Sequence, residues 1–297
     1  MKIYQYLLLT LSTLCLFSCR KDKAINDQPQ VTWSFISSSF GGTSDDNAHD
    51  LCYSNGRIFV AGSTASFGNG MTDIYLIVLD SGLNVLNDNY IGTTNAEAGI
   101  SVFPTSTGAI ICGYTDFYGN RQAYLVNVDI NGDTLWTKHY NLDTESFAYN
   151  VNSDGTNYFI IGNTMDASGN TQLLLAKTDN NGNLLWSKTY GGPSAELTTD
   201  LEILTNGDIL IYGYTNSYGS GDRDLILLKT NSSGDSLQTL LLGGSGYEQP
   251  GYMQKTSAGN FLIAAHTGST EPNHNFYFAL FDQNLNVIWQ GEKGDMM

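Results

Sequence analysis

Along most of the chain the apolar residues come in short runs, many of them alternating with polar residues, and each run is broken by Asn, Asp, Gly or Ser. Near the middle, Ala148 to Asn152, Tyr158 to Gly162, Leu173 to Thr178 and Leu184 to Tyr190 follow one another. Ser153-Asp154-Gly155-Thr156 and Asp179-Asn180-Asn181-Gly182-Asn183 separate two of the pairs. Alternation with period two is the signature of a half-buried strand, and no segment shows the 3.6-residue spacing of an amphipathic helix. Asn, Asp and Gly tolerate the positive φ of tight turns. The pattern therefore predicts four short strands joined by turns.

The same phrase recurs through the chain: an acidic residue, a strand, a turn, an apolar run, Gly, then Thr. The runs end at Gly62, Gly113, Gly162, Gly213 and Ala265, spaced by about 50 residues. Thr64, Thr115, Thr164, Thr215 and Thr267 follow in register, and Asp46, Glu97, Glu145, Glu196 and Glu248 precede. A lone four-stranded sheet leaves both faces wet, whereas radial stacking of such sheets buries them. The expected fold is all-β, a five-bladed β-propeller over residues 31–297. Its blades are expected near 43–92, 93–141, 142–192, 193–243 and 244–291.

Phrases such as Asn183-Leu184-Leu185-Trp186-Ser187-Lys188-Thr189-Tyr190-Gly191-Gly192 resemble the repeat propellers common in bacterial lipoproteins and secreted proteins. The resemblance spans residues 31–291 and implies the fold more than any activity. Trp136, Trp186 and Trp289 recur in units two, three and five, but unit four has Gln238. The Trp is read as inter-blade packing. Trp33 to Gly42 reads as a fourth strand lacking the three that should precede it, while Val287 to Gly291 already supplies the fourth strand of unit five. Either segment is a candidate for the outer place at the seam.

Residues 1–18 read as a leader: Lys2 precedes an apolar stretch from Leu7 to Phe17, too short to span a bilayer. Leu16-Phe17-Ser18-Cys19 resembles the lipobox of bacterial lipoproteins, with Phe17 as its departure. That resemblance implies cleavage before Cys19 and lipidation of its sulfur, which anchors the chain to a membrane. Residues 19–30 lack apolar periodicity and read as a solvated tether. Arg20, not Asp, follows the cysteine, so the analogy places the protein at the outer membrane, in the periplasm or on the surface. In the folded part only Cys52 and Cys112 remain, at different points of their repeats, and are expected as buried thiols.

Composition narrows the partners. Lys and Arg number 13 against 29 Asp and Glu, a net charge of −16, and loss of a leader carrying Lys2 makes the balance more acidic still. Such a surface repels phosphate backbones, so no nucleic-acid partner is expected. No metalloprotease, hydrolase-elbow, Walker or Cys-x-x-Cys motif is present, and no cofactor is expected. Asp129-Ile130-Asn131-Gly132-Asp133 has oxygen ligands at calcium-like spacing, but its counterparts Asp179 to Asn183 and Asn231 to Asp235 mark it as a turn.

Two functional readings follow. Long connections displayed by a rigid scaffold carry binding, and here they hold Phe67, Phe117, Tyr118, Phe147, Tyr218 and Tyr247 beside Asp116, Asp222 and Glu271. Aromatic faces beside hydrogen-bonding groups suit a glycan or a protein partner. Phe67, Tyr118 and Tyr218 stand at matching places before Gly68, Gly119 and Gly219 and are the chosen ligand contacts. This gives a non-catalytic binding or scaffold module. The alternative is a glycosidase-like enzyme in which Asp50, Asp200 and Glu202, all in first strands, converge on the central funnel.

Overall fold

The computed structural model describes residues 39–117, 119–268 and 275–293. They form twenty strands and, among the described residues, no helix. Blade one comprises β1 (Asp46–Ser54), β2 (Arg57–Thr64), β3 (Asp73–Asp80) and β4 (Val85–Ile91); blade two comprises β5 (Glu97–Pro104), β6 (Gly108–Phe117), β7 (Asn120–Asp129) and β8 (Thr134–Tyr140). Blade three holds β9 (Glu145–Ser153), β10 (Asn157–Met165), β11 (Thr171–Asp179) and β12 (Leu184–Tyr190). Blade four holds β13 (Glu196–Ile203), β14 (Ile209–Thr215), β15 (Asp224–Thr230) and β16 (Ser236–Leu242); β17 (Glu248–Lys255), β18 (Phe261–Thr267), β19 (Asn275–Phe281) and β20 (Val287–Lys293) complete blade five. Each sheet is antiparallel with its strands in chain order. The chain is a five-bladed β-propeller.

Burial explains the strand sequences. Third strands of blades one to four carry short apolar runs, as Leu225 to Leu228 do in β15, where every residue is buried. Fourth strands lie at the rim, and β12 alternates exposed with half-buried residues. Hydrophobic clusters form between blades one and two, two and three, three and four, and four and five. Trp136 closes on the turn at Gly182 and Trp186 on that at Gly234, as the packing reading expects, whereas Trp289 of blade five is 54% exposed and departs from it.

The acid and Thr of the repeat form a latch at the entry to blades one, two, four and five. Thr115 donates to Glu97 at 2.6 Å, Thr215 to Glu196 at 2.9 Å and Thr267 to Glu248 at 2.9 Å, and Thr64 donates to Asp46. The same carboxylates accept backbone N–H groups of the incoming crossings, from Gly42, Thr93, Gly192 and Gly244. Unit three corrects the register: Ser146, not Glu145, lies opposite Thr164. Its hydroxyl donates to the Tyr140 carbonyl and accepts from the Ala123 N–H. The Asp129 segment is a hairpin turn, its carboxylate accepting from the N–H groups of Asn131 and Asp133. Cys52 and Cys112 are free and buried, in different clusters, and burial raises both thiol pKa values, Cys52 to about 12.

The seam differs from the four interfaces. The fifth cluster, Tyr75, Ile77 and Leu79 with Ile58 and Val60, draws on blade one alone. Val102, Val151, Leu201 and Met253 hold one repeat position and are 5%, 2%, 3% and 6% exposed, whereas their counterpart Leu51 is 63% exposed. On the other side of the seam Phe276 is exposed where its counterpart Leu225 is fully buried. β20 pairs with β19 and takes the outer place of blade five. Trp33 to Ser38 lie outside the described residues, and Ser39 to Gly42 form no strand.

Candidate functional site

Every first strand carries a β-bulge in its first half. The register slips between Ala48 and Asp50, Gly99 and Ser101, Thr198 and Asp200, and Pro250 and Met253, and in blade three it slips where Ala148 and Asn150 pair with Gly162 and Ile161. A bulge bends its strand and re-aims a side chain. The bulged residues His49, Ile100, Tyr149 and Thr199, with Gly251 and Tyr252 in blade five, all line one central cavity of about 670 Å³. Asp50, Ser101, Asn150, Leu197, Thr198 and Pro250 complete its wall. Because Leu197 to Thr199 open β13, the cavity lies toward the face where blade crossings and second-to-third loops emerge. Its volume is that of a small-ligand pocket.

Of the carboxylates expected to converge, Asp50 lines this cavity, while Asp200 and Glu202 are not among its wall residues. Asp50 is held by the Ser101 hydroxyl at 2.8 Å and the Val102 N–H at 2.9 Å, both from the next blade. Asp200 occupies the same repeat position, accepting from Asn150 at 3.0 Å, from the Met253 N–H at 3.2 Å and from the Leu201 N–H at 2.8 Å. Both acids thus tie adjacent blades together. Burial raises Asp200 to about 6, and burial raises Glu202 as well. Among the described residues no group of His, Cys, Asp and Glu is arranged to hold a metal ion.

The loop aromatics lie apart from the cavity wall. Phe67 is partly exposed and packs on Tyr90 at 4.9 Å and Tyr75 at 6.1 Å between ring centroids. Tyr218, also partly exposed, donates its hydroxyl to the Gly191 carbonyl at 3.0 Å. Tyr118 lies outside the described residues, as do Cys19 and Glu271. Tyr247 meets Arg223, which also lies over Tyr214, and Phe147 meets Arg121, which also lies over Tyr114. These cation–π contacts join blade four to five and blade two to three.

Sequence reasoning missed the five bulged residues. The sequence does show one repeat position at which His49, Ile100, Tyr149, Thr199 and Gly251 differ in size, charge and polarity, with Tyr252 next to it in blade five. Positions that a repeat fold leaves free to vary, at its axis, are where a site can be built.

No protein-family model matches the sequence, and no curated protein matches it. Solved structures do. The WD40 domain of Pan2 from Neurospora crassa superposes with a TM-score of 0.52 at 11% identity, covering 84% of this chain and 66% of that one. A protein of unknown function from Dyadobacter fermentans gives 0.54 at 9% identity over 85% of this chain and 84% of its own. Puromycin hydrolase gives 0.54 at 9% identity over 83% of this chain, which spans only 39% of the hydrolase. At these identities the likeness concerns the fold, a four-stranded antiparallel propeller shared by scaffolds and enzymes alike.

Proposed function

We propose that this chain is a non-catalytic binding module that takes a hydroxylated ligand, of the glycan class, in its central funnel, and that lipid on Cys19 holds it at the cell envelope. The observation that carries the reading is the funnel wall, to which each of five otherwise similar blades contributes a different bulged residue. Tyr149 and the largely exposed Tyr252 offer aromatic faces to the apolar side of a sugar ring. Thr199 and Asn150 offer hydrogen-bonding groups beside them, while the Ser101 and Thr198 hydroxyls are taken by Asp50 and the Gly162 carbonyl. The acidic chain disfavours polyanionic ligands. In this reading Phe67, Tyr118 and Tyr218 serve at the rim of the same face.

A glycan-active enzyme is the second reading, and one observation favours it: Asp200, raised to about 6, stands in the range of a general acid. Against it, the Asp200 oxygens are taken up by Asn150 and two backbone N–H groups. A glycan array probed with the full chain tests both. Binding that Tyr252→Ala and Tyr149→Ala abolish, with every bound glycan recovered intact, supports the module. Cleaved glycans whose release stops in Asp200→Asn would replace it with the enzyme, and no binding to any glycan would end the ligand assignment.

A further inference from the structure

We propose that the opposite face of the propeller carries a second binding site, a groove between blades two and three that takes a small neutral sugar. The groove has a volume of about 450 Å³, within the range of small-ligand pockets. Its walls come from residues 103–107 of blade two, from Ser153 and Tyr158 of blade three, and from Asn127 and Asn180. These belong to first-to-second hairpins, a third-to-fourth turn and the strand ends beside them, whereas the funnel lies toward the blade crossings. The site is therefore separate from the funnel and does not rest on its assignment.

One repeat position accounts for the groove. Asn127, Lys177 and Lys229 pair with Ile110, Phe159 and Leu210 and stand at the same place in their third strands. In blades three and four the lysine reaches the first-to-second hairpin of its own blade. The Lys177 ammonium comes to 3.9 Å from the Asp154 carboxylate and lies over the Phe159 ring, and that of Lys229 stands 3.2 Å from Asp208. Lys229 also donates to the Gln283 carbonyl at 3.0 Å, in the third-to-fourth turn of the next blade. Blade two has lost both members of the pair. Asn127 is shorter and neutral, and its hairpin, residues 105–108, reads Thr, Ser, Thr, Gly without an acid. Asn180, which lines the groove, holds the place of Gln283.

The chemistry of the wall selects the ligand. The Asn127 side-chain oxygen is buried and has no hydrogen-bond partner among the described residues. Such an acceptor is costly, and it calls for a donor. No wall residue is charged, so a charged ligand would lose hydration without gaining a counter-ion, and the ligand is neutral. Phe103, Pro104 and the half-buried Tyr158 supply an apolar flank, and the exposed Ser106 and Thr107 bring hydroxyls to the other side. A sugar ring meets these demands together, with apolar C–H faces for the flank and hydroxyl donors at its edge for Asn127.

The test is a titration of the isotope-labelled full chain with glucose, galactose, mannose and N-acetylglucosamine, followed by amide NMR. With at least one of these sugars, saturable shifts are expected at the Asn127 side-chain amide and at backbone amides of residues 105–108 and 153–158. Asn127→Lys, which fills the groove in the manner of Lys229, should weaken that binding by about tenfold or more. Should this variant fail to fold, Ser106→Trp, at an exposed hairpin position, obstructs the same groove and should act alike. Shifts at His49, Ile100 and Tyr149 report the funnel in the same spectra, so failure at one site is distinguished from failure at the other. No shift at the groove with any of these sugars, or groove shifts that persist undiminished in the folded variant, overturns the proposal and leaves the groove to water.

Discussion

At the interface between blades four and five, Met253, Phe261, Ile263 and Leu285 are sealed against Leu210, Tyr212, Leu225 and Leu227. At the seam the matching Leu51, Ile58, Val60 and Leu83 of blade one share no cluster with blade five. Sequence separates the two regions poorly, because both faces are apolar in the same register. What separates them is the presence of a neighbour. In a repeat fold the stability of each unit is an intrinsic part plus interface terms with its neighbours, so equal residues at equal repeat positions carry unequal energies.

The largest test of that comparison is Leu201→Ala. Leu201 is 3% exposed within the cluster between blades three and four, and the change removes apolar area and leaves a cavity. A loss of about 2–5 kcal/mol is expected in urea unfolding followed by tryptophan fluorescence. A loss under about 1 kcal/mol would show that the interior interfaces are as loose as the seam, and the contrast between the two regions would collapse.

Asp200 gives the next effect, through pH. Its folded-state pKa of about 6 lies above the ordinary 3.8, so the folded chain holds that proton more tightly than the unfolded chain. Stability from this group is full below about pH 4 and is lost as pH rises through 6, by up to about 3 kcal/mol. Turn acids such as Asp80, Asp154, Asp179 and Asp282 are shifted the other way, and their contribution fails only as pH falls below the carboxylate range. The window between about pH 4 and 6 therefore isolates the buried acids. Asp200→Asn, measured by thermal melting across that window, should flatten much of the decline, leaving the smaller part due to Glu202, which burial also raises. An unchanged slope would show that the hydrogen bonds from Asn150, Leu201 and Met253 outweigh burial.

The blades were legible in the sequence because their determinants are local. Asp80, Asp129, Asp179, Asn231 and Asp282 each cap their own hairpin, accepting from N–H groups two and four residues on. Each acid of the latch sits about 18 residues from its Thr, within one hairpin, at a separation the repeat displays five times. Unit three escaped because Ser146 replaces the acid, while Glu145 beside it kept the pattern intact in letters only. The funnel left only one trace in the sequence, the varied residues at the position of His49, Ile100, Tyr149 and Thr199, since a bulge is a feature of pairing. Asp50 and Asp200 were read as candidate convergent acids, and what the sequence could not show is that each also accepts from the neighbouring blade, Asp50 from Ser101 and Val102 and Asp200 from Asn150 and Met253. Among the loop aromatics, Phe67 and Tyr218 lie over the crossings into their own blades, at Gly42 and Gly192, a placement that depends on contacts more than 20 residues apart and so was not legible in the sequence.

The smallest expected effect completes the comparison with Leu201. Leu51 fills the same repeat position and carries the same side chain, but it is 63% exposed, near the axis and away from the outer edge where Leu83 lies. Leu51→Ala then removes little buried area and opens no cavity, so a change within about 0.5 kcal/mol is expected in the same urea experiment. The pair forms an internally controlled measurement, because chemistry, strand type and repeat position are held constant while only the neighbour differs. If Leu51→Ala costs as much as Leu201→Ala, blade five closes on blade one in solution and the fifth interface is as tight as the other four. If the small cost holds but rises with protein concentration, a second chain supplies the missing neighbour. A small cost independent of concentration leaves the inner half of the seam open to solvent, next to the funnel wall formed by His49 and Tyr252.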